Sequence, residues 1–338
     1  MRVAVCHNLT PPELPRGEER DRLADAGVSE AAQAVHAALC ALGHEAAIVP
    51  LGRNLDRFLE ELRTFRPDVI FNLCEAFWGD SRREMHVAAL FDLLGVPYTG
   101  SDALCLGLTQ DKFRTKALLV QAGLPTPPFF LVQEGEKYPP IEKFRFPMFV
   151  KPPYEDGSQG ISADSVVRNR KELMARVAYI HATYRQPALV EEFIDGRELN
   201  VAILGFRKTS MLPISEIIFP PGMNHRIVCF ESKWQEESDL YHQVRGVCPA
   251  ELGAREQLVI NVAALRAYKL LGCRDYARID IRLRNQTPYI LEVNANPDLS
   301  PGAGLARAAK AEGRSYQKLV ARILDCALQR KGDSSCVL

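Results

Sequence analysis

Between residues 277 and 294 the chain alternates apolar and polar side chains, breaks at a turn, and alternates again. Going out, Ala277, Ile279, Ile281 and Leu283 share one face, with Arg278 and Asp280 on the other. Coming back, Tyr289, Leu291 and Val293 are expected to face a core, while Glu292 and Asn294 point away. A period of two belongs to β-structure, so this stretch predicts an antiparallel hairpin with one buried face. Centred on Gln286, the hairpin sets Asp280 opposite Glu292 and Arg278 opposite Asn294, a register that a bulge would change. Adjacent carboxylates repel, and a hard, oxygen-seeking cation gives such a pair a physical purpose. The competing reading is a solvated face with ordinary ion pairs, which patterning alone leaves open. The polar turn Asn294-Ala295-Asn296-Pro297 directly after the acids favours a site.

Upstream, strands and helices alternate through residues 1–97, which predicts a small α/β domain. Strands are expected at 3–6, 45–50 and 68–72, and helices at 30–42, 55–65 and 83–94, with Ser29 capping the first helix. Residues 7–27, rich in Pro, Gly and charge, read as a loop bordering a site. Ser101 and Thr109 suit the starts of two further helices, the second ending at Gly123. A strand edge at Phe149-Val150-Lys151-Pro152 runs into a glycine-containing loop at 154–160. Then come a helix at 171–181, strands at 188–193 and 198–205, and a strong helix at 255–270. Residues 218–248 show no sustained period and read as a long working loop. The expected division is an amino-terminal domain at 1–97, a central lobe at 98–190, a carboxy-terminal lobe at 191–330 and a tail at 331–338.

The chain has 338 residues, with 42 basic and 42 acidic side chains. That balance disfavours a nucleic-acid partner. Nine cysteines with no C-x-x-C pair read as reduced core residues, against a disulfide scaffold, a metal site or a reactive thiol. No apolar run is long enough to span a membrane and no secretory core opens the chain, so a cytoplasmic location is expected. Neither G-x-G-x-x-G nor G-x-x-x-x-G-K-[ST] occurs, so nucleotide binding needs another arrangement.

That arrangement is carried by an ordered set of short motifs: Thr99-Gly100-Ser101, Asp111-Lys112, Phe149-Val150-Lys151-Pro152, Gly157-Ser158-Gln159-Gly160, Val190-Glu191-Glu192-Phe193-Ile194-Asp195-Gly196-Arg197-Glu198, Arg278-Ile279-Asp280 and Glu292-Val293-Asn294-Ala295-Asn296-Pro297. Each is weak alone. Their order over residues 99–316 resembles the ATP-grasp superfamily, and within it the D-alanine–D-alanine ligase family. The resemblance implies an α/β amino-terminal domain followed by two α+β lobes with ATP held between them. It also implies an ATP-dependent carboxylate–amine ligase that works through an acyl phosphate and releases ADP and phosphate.

The same resemblance implies a role for each matching residue. Lys112 and Lys151 contact the ATP phosphates, and Ser158 belongs to a mobile cover over them and assists catalysis. Glu191 through Ile194 receive adenine, Glu198 accepts from the ribose, and Lys233 is a third phosphate-facing lysine on the long loop. Asp280, Glu292 and Asn294 hold magnesium, with manganese as an alternative. Arg278 stabilises the transferred phosphoryl group and the developing oxyanion. Outside this order the blander readings hold: a solubilising surface lysine, a turn, a solvated acid. A homodimer is a further expectation from the resemblance.

Departures gather at the amine end. Asp298 stands where the family pattern places glycine, with Ser300 beyond it, and residues 8–27 lack the family's Glu-Val-Ser stretch, of which only Val28-Ser29 remains in a similar setting before the helix. Glu75 and Asp80, in the strand-end segment 72–80, are candidate amine contacts beside Phe77 and Trp78. Glu75, Asp80, Asp298 and Ser300 are therefore the expected substrate residues, with D-alanine as the first candidate substrate. A ligase for another amino acid, peptide or small carboxylate is the alternative. A non-catalytic ATP-responsive module is another, disfavoured by the intact set Lys112, Lys151, Arg278, Asp280, Glu292 and Asn294.

Overall fold

A computed structural model describes residues 1–334 apart from Lys137 and Asn224, and no side chain at Asp25 or at 331–334. The amino-terminal unit has a parallel sheet ordered β2-β1-β3. Its elements are β1 (Arg2–Asn8), α1 (Arg22–Ala41), β2 (Glu45–Leu51), α2 (Leu55–Phe65), β3 (Val69–Leu73) and α3 (Glu84–Leu94). One face of β1 and β3, through Ala4, Cys6 and Ile70, packs on Phe58, Leu62 and Phe91. The other, through Val3, Val5 and Phe71, packs on α1.

α1 begins eight residues before the expected start, so Ser29 lies inside it and caps nothing. Gly27, which suggested a loop, is a close-approach point: a Cβ there would stand 3.3 Å from the Trp234 ring. The next two helices, α4 (Ala103–Gln110) and α5 (Lys112–Gln121), start one to three residues later than expected. Their N-caps are Asp102 and Asp111, whose carboxylates accept from Cys105 N and Arg114 N, in place of Ser101 and Thr109. Gly123, at φ +66°, follows α5.

A four-stranded antiparallel sheet ordered β4-β7-β5-β6 follows, from β4 (Phe129–Val132), β5 (Met148–Lys151), β6 (Val166–Val167) and β7 (Ala188–Glu192), with α6 (Arg170–Tyr184) on it. β7 runs across the expected lobe boundary at 190–191. The largest sheet has the order β11-β10-β8-β12-β13, with a short β9 on β8. Its strands are β8 (Arg197–Gly205), β9 (Ser210–Met211), β10 (Ser215–Ile218), β11 (Arg245–Val247), β12 (Asp275–Arg284) and β13 (Thr287–Asn294). Residues 218–248 hold more order than expected: α7 (Phe230–Trp234), α8 (Asp239–Gln243) and β11. α9 (Ala254–Leu270) packs on β12 and β13, as do α4 and α5 on β13. α10 (Gly304–Ala311) and α11 (Tyr316–Ser334) complete the chain, and α11 returns to pack on α1 and β3. The helix therefore reaches into the segment expected as a tail, whose residues 335–338 lie outside the described residues.

β12 and β13 pair as expected, Arg278 with Asn294 and Asp280 with Glu292. The route differs. The turn is Asn285-Gln286, both at positive φ, and a bulge between Asp280 and Ile281 restores the acid register. The bulge also shifts the alternation on the return strand, so Ile290 enters the core while Leu291 turns to the cleft. Six of the eight described cysteines are buried and all eight are unpaired. Among the described residues no helix is long and apolar enough to cross a membrane.

Candidate active site

The three units enclose a cleft of about 910 Å³. Its floor is the β12–β13 hairpin. The polar face of β12 presents Arg278, Asp280 and Arg282, and β8 sets Asn200 beside Asp280 and Glu198 beside Arg282. Arg278 donates from Nε to Asp280 Oδ1 and from Nη2 to Oδ2, both at 2.8 Å. Asn200 Nδ2 donates to Oδ1 at 2.7 Å and Asn294 Nδ2 to Oδ2 at 3.1 Å.

Burial works against the Arg278 charge, but Asp280 and Glu292 overcome it and raise its pKa. The paired acids diverge. Burial, and then the Glu292 charge, hold Asp280 above the ordinary range despite Arg278. Burial also opposes the Glu292 charge, yet Lys112, Lys151 and Arg278 draw it well below that range.

Lys151 comes from the end of β5 on the facing wall. Its Nζ lies 3.1 Å from Glu191 Oε1, and the buried Lys116 Nζ lies 3.3 Å from the same oxygen. The Glu191 carboxylate thus anchors two lysines, while the adenine contact expected of this segment falls to its backbone. Ile194 does line the cleft, and its carbonyl accepts from Arg282 Nη1 at 3.0 Å. Glu198 Oε2 accepts from Arg282 Nε at 3.1 Å and Nη2 at 2.6 Å, and burial outweighs this pairing to raise the Glu198 pKa.

Lys112 is a partial departure. It sits behind the cleft wall, donating from Nζ to Glu155 O at 2.7 Å and Asp156 Oδ1 at 2.8 Å, although its charge still reaches Glu292.

Ser158 lies on the glycine loop at φ +63°, between Gly157 at +61° and Gly160 at +71°. A non-glycine residue held there marks a constrained loop. Trp234 closes over it, donating from Nε1 to Gly157 O at 2.7 Å, and Lys233 lies 5.0 Å from the Trp234 ring centroid. Glu75, Asp298 and Ser300 line the opposite end, where Asp298 Oδ1 accepts from Ser300 N at 2.7 Å.

Asp80 does not join them. Its carboxylate accepts from Arg16 Nη2 at 2.8 Å and from Arg82 Nε and Nη2 at 3.0 Å. Burial would raise its pKa, but these arginines hold it well below the carboxylate range. The carboxylate stays ionised but is engaged by arginines, and it does not line the cleft, so the structure does not bring Asp80 to the expected substrate residues.

Sequence reasoning missed several members. Arg282 continues the parity of Arg278 and Asp280, so the strand period alone could have found it. Lys116 lies one helical turn after Lys112, on the same side of α5. Arg16 reaches Glu155 Oε1 at 2.6 Å as well as Asp80, tying the amino-terminal loop to the loop before Gly157. Glu84, at the start of α3, is buried near Asp156 and Glu75, and burial followed by those charges pushes its pKa well up. No local pattern signals Arg16 or Glu84, because their partners are distant in the chain, Asp80 and Glu155 for one and Asp156 for the other.

Comparisons with known proteins point to one family. Residues 118–325 match the family described as D-ala D-ala ligase C-terminus. A protein from Sinorhizobium fredii (strain NBRC 101917 / NGR234), named "Uncharacterized protein y4sG", is 35% identical over 322 residues, covering 94% of this chain and 91% of its own. The D-alanine–D-alanine ligase of Moorella thermoacetica is 32% identical over 306 residues, with coverage of 88% and 93%. That of Desulforudis audaxviator is 34% identical over 302 residues, with coverage of 88% and 92%. The crystal structure of D-alanine–D-alanine ligase from Bacillus anthracis complexed with ATP superposes with a TM-score of 0.80 at 23% identity, over 99% of both chains. The fold is therefore ATP-grasp, with mixed α/β sheets as expected. The chain belongs to the D-alanine–D-alanine ligase family.

Proposed function

We propose that this chain is an ATP-dependent ligase that forms a carbon–nitrogen bond between two amino acids, with D-alanine as the first candidate for both. The observation that carries the reading is the hairpin floor, where Arg278, Asp280, Glu292 and Asn294 meet in one register beneath Lys151. A carboxylate is a poor electrophile because its leaving group would be oxide. Its oxygen attacks the γ-phosphorus of ATP, the bond to the β-phosphate oxygen breaks, and ADP leaves. The lone pair of an uncharged amine then adds to the acyl carbon, the carbon–oxygen bond to phosphate breaks, and the nitrogen loses a proton to water.

Charged side chains do most of this work by position. Lys151, fixed by Glu191, holds phosphate oxygens. Arg278, fixed by Asp280, faces the transferred phosphoryl group and the tetrahedral oxyanion. Ser158 and the glycine loop, under Trp234, exclude water from the acyl phosphate. Ile194 and the neighbouring backbone take adenine, and Glu198 takes the ribose.

The donor set fits magnesium. Among the described residues no three His, Cys, Asp or Glu side chains gather into a complete metal site. Two carboxylates and an amide oxygen form a partial oxygen shell, as magnesium requires when phosphates supply the remainder. Asp280, Glu292 and Asn294 would hold it, with manganese an alternative. Bound there, the ion supplies charge neutralisation to the phosphates.

A second reading, ligation of another amino acid, peptide or small carboxylate, is favoured by Asp298 in the acceptor turn. The test is a magnesium–ATP assay over paired D- and L-amino acids, short peptides and nonamino carboxylates, with products identified by mass. D-alanyl-D-alanine as the sole product supports the first reading. A different product without it establishes the second, and no ADP with any pair overturns both. A cytoplasmic location, a homodimer and the absence of a nucleic-acid partner belong to the same proposal. Light scattering that finds only monomer would remove the homodimer, and salt-sensitive filter binding of DNA would remove the last.

A further inference from the structure

Arg307 lies in α10, four residues into the helix that follows the Asp298–Ser300 turn, and it lines the cleft. Among the described residues it has no carboxylate partner. Its polar contact is a 3.3 Å bond from Nη1 to Gly302 O, and its Nε is buried without an acceptor. The nearest strong charge is another cation: a Cβ on Gly304 would stand 3.7 Å from both Arg278 Cδ and Arg307 Nη2. Burial and Arg278 both weaken the hold of Arg307 on its proton. The Arg278 guanidinium is turned to Asp280, so at this glycine only the Arg307 guanidinium is left without a counter-charge, and an anion would stabilise it.

The surroundings are shaped for this side chain. Gly246, on β11, lies flat against it, and a Cβ there would fall 2.3 Å from Nη2 and 2.4 Å from Cζ. The backbone of Gly246 is not in the left-handed region, so glycine is needed here for room. Beside it Arg245, exposed at the cleft rim, also lacks a carboxylate partner among the described residues. Arg278 is already held through Nε and Nη2 by Asp280.

We propose that Arg307, with Arg245 at the rim, receives the carboxylate of the amine substrate, leaving Arg278 for the transferred phosphoryl group. The accepted amines are then amino acids or peptides with a free carboxylate, and simple amines are excluded. This rests on the ligase reading above. It makes Arg307 a residue that positions and selects the amine, and it gives Gly246 and the short Gly302-Ala303-Gly304 stretch a reason to be small.

The experiment measures ADP formation with ATP, magnesium and D-alanine, or whichever amino acid the product screen finds as amine, against the same compound with its carboxylate capped as an amide. A charge-assisted pair predicts that Arg307→Met raises KM for the free acid by about tenfold to a hundredfold. For the amide, wild type and Arg307→Met should agree within about twofold, since no charge is left to lose. Arg307→Lys should recover part of the loss. Gly246→Ala, which displaces the guanidinium without removing it, should raise the same KM. An unchanged KM in Arg307→Met, or an equal loss with acid and amide, overturns the subsite while the ligase stands. Wild type that forms no ADP with any amine overturns the ligase reading, and this proposal with it.

Discussion

The two ends of the cleft handle charge in opposite ways. At the end proposed for the nucleotide, Lys151, Lys116, Arg282 and Arg278 each meet a carboxylate, three of them from paired strands and Lys116 from α5. At the end proposed for the amine, Arg307 and Arg245 meet none among the described residues, and their positions come from a short helix and an edge strand. Paired charges hold a geometry that is the same in every catalytic cycle. Unpaired ones are open to the charge of a ligand, and on the subsite proposed above they are the ones that select.

The comparison breaks first if the paired end tolerates the loss of a partner. Arg282→Met should cost about 3–5 kcal/mol of stability, because it leaves the buried Glu198 charge uncompensated. Denaturant midpoints would measure it, and a loss too small to resolve would mean that Glu198 is folded in its neutral form. Next is Arg278→Ala, for which loss of an oxyanion donor predicts a turnover decrease of about 2.7–4 kcal/mol, with ATP affinity changing far less. Near-normal turnover at saturating substrates would remove Arg278 from the chemistry.

A smaller effect concerns pH. Burial lowers the Lys116 pKa from 10.5 to about 8, only partly opposed by Glu191. The folded state therefore binds fewer protons than the unfolded one between those values, and the contribution of this group to stability rises with pH across that window. Wild type should gain about 1–2 kcal/mol on Lys116→Met between pH 8 and 9.5, read as the difference in urea midpoints. A flat difference would mean that the ammonium stays charged beneath β7. The smallest effect should be at the unpaired end, where Arg307→Met changes stability by no more than about 1 kcal/mol despite its effect on KM. A loss as large as that of Arg282→Met would place Arg307 in the structure rather than in recognition.

The same contrast governs what the sequence revealed. The hairpin was legible because a period of two places Arg278 and Asp280 on one face, and pairing adds Glu292 and Asn294. The bulge was not, since nothing at Ile290-Leu291 marks an extra residue, and so the roles of these two were exchanged. The start of α1 was misplaced because Gly27 reads as a helix stop unless the Trp234 ring against it is known. Asp80 looked like any acid near a site until Arg16, 64 residues earlier, was brought to it by the fold. Arg307 carried no motif, since its meaning lies in the missing partner and in the glycine on another strand. Local periodicity writes the catalytic floor, whereas contacts between distant units write the walls.

The return of α11 to the amino-terminal unit bears on the order in which this molecule can be made. Leu319, Val320, Ile323 and Leu324 share a core with Val3, Val5, Val69 and Phe71. A ribosome delivers β1 and β3 well before α11. The amino-terminal unit thus emerges with part of a sheet face uncovered, and it stays so while the residues between are translated. Residues this apolar, on strands that pair in parallel, are prone to stick to other nascent chains during such a wait. The last described helix is therefore a late-arriving cover for strands made long before it.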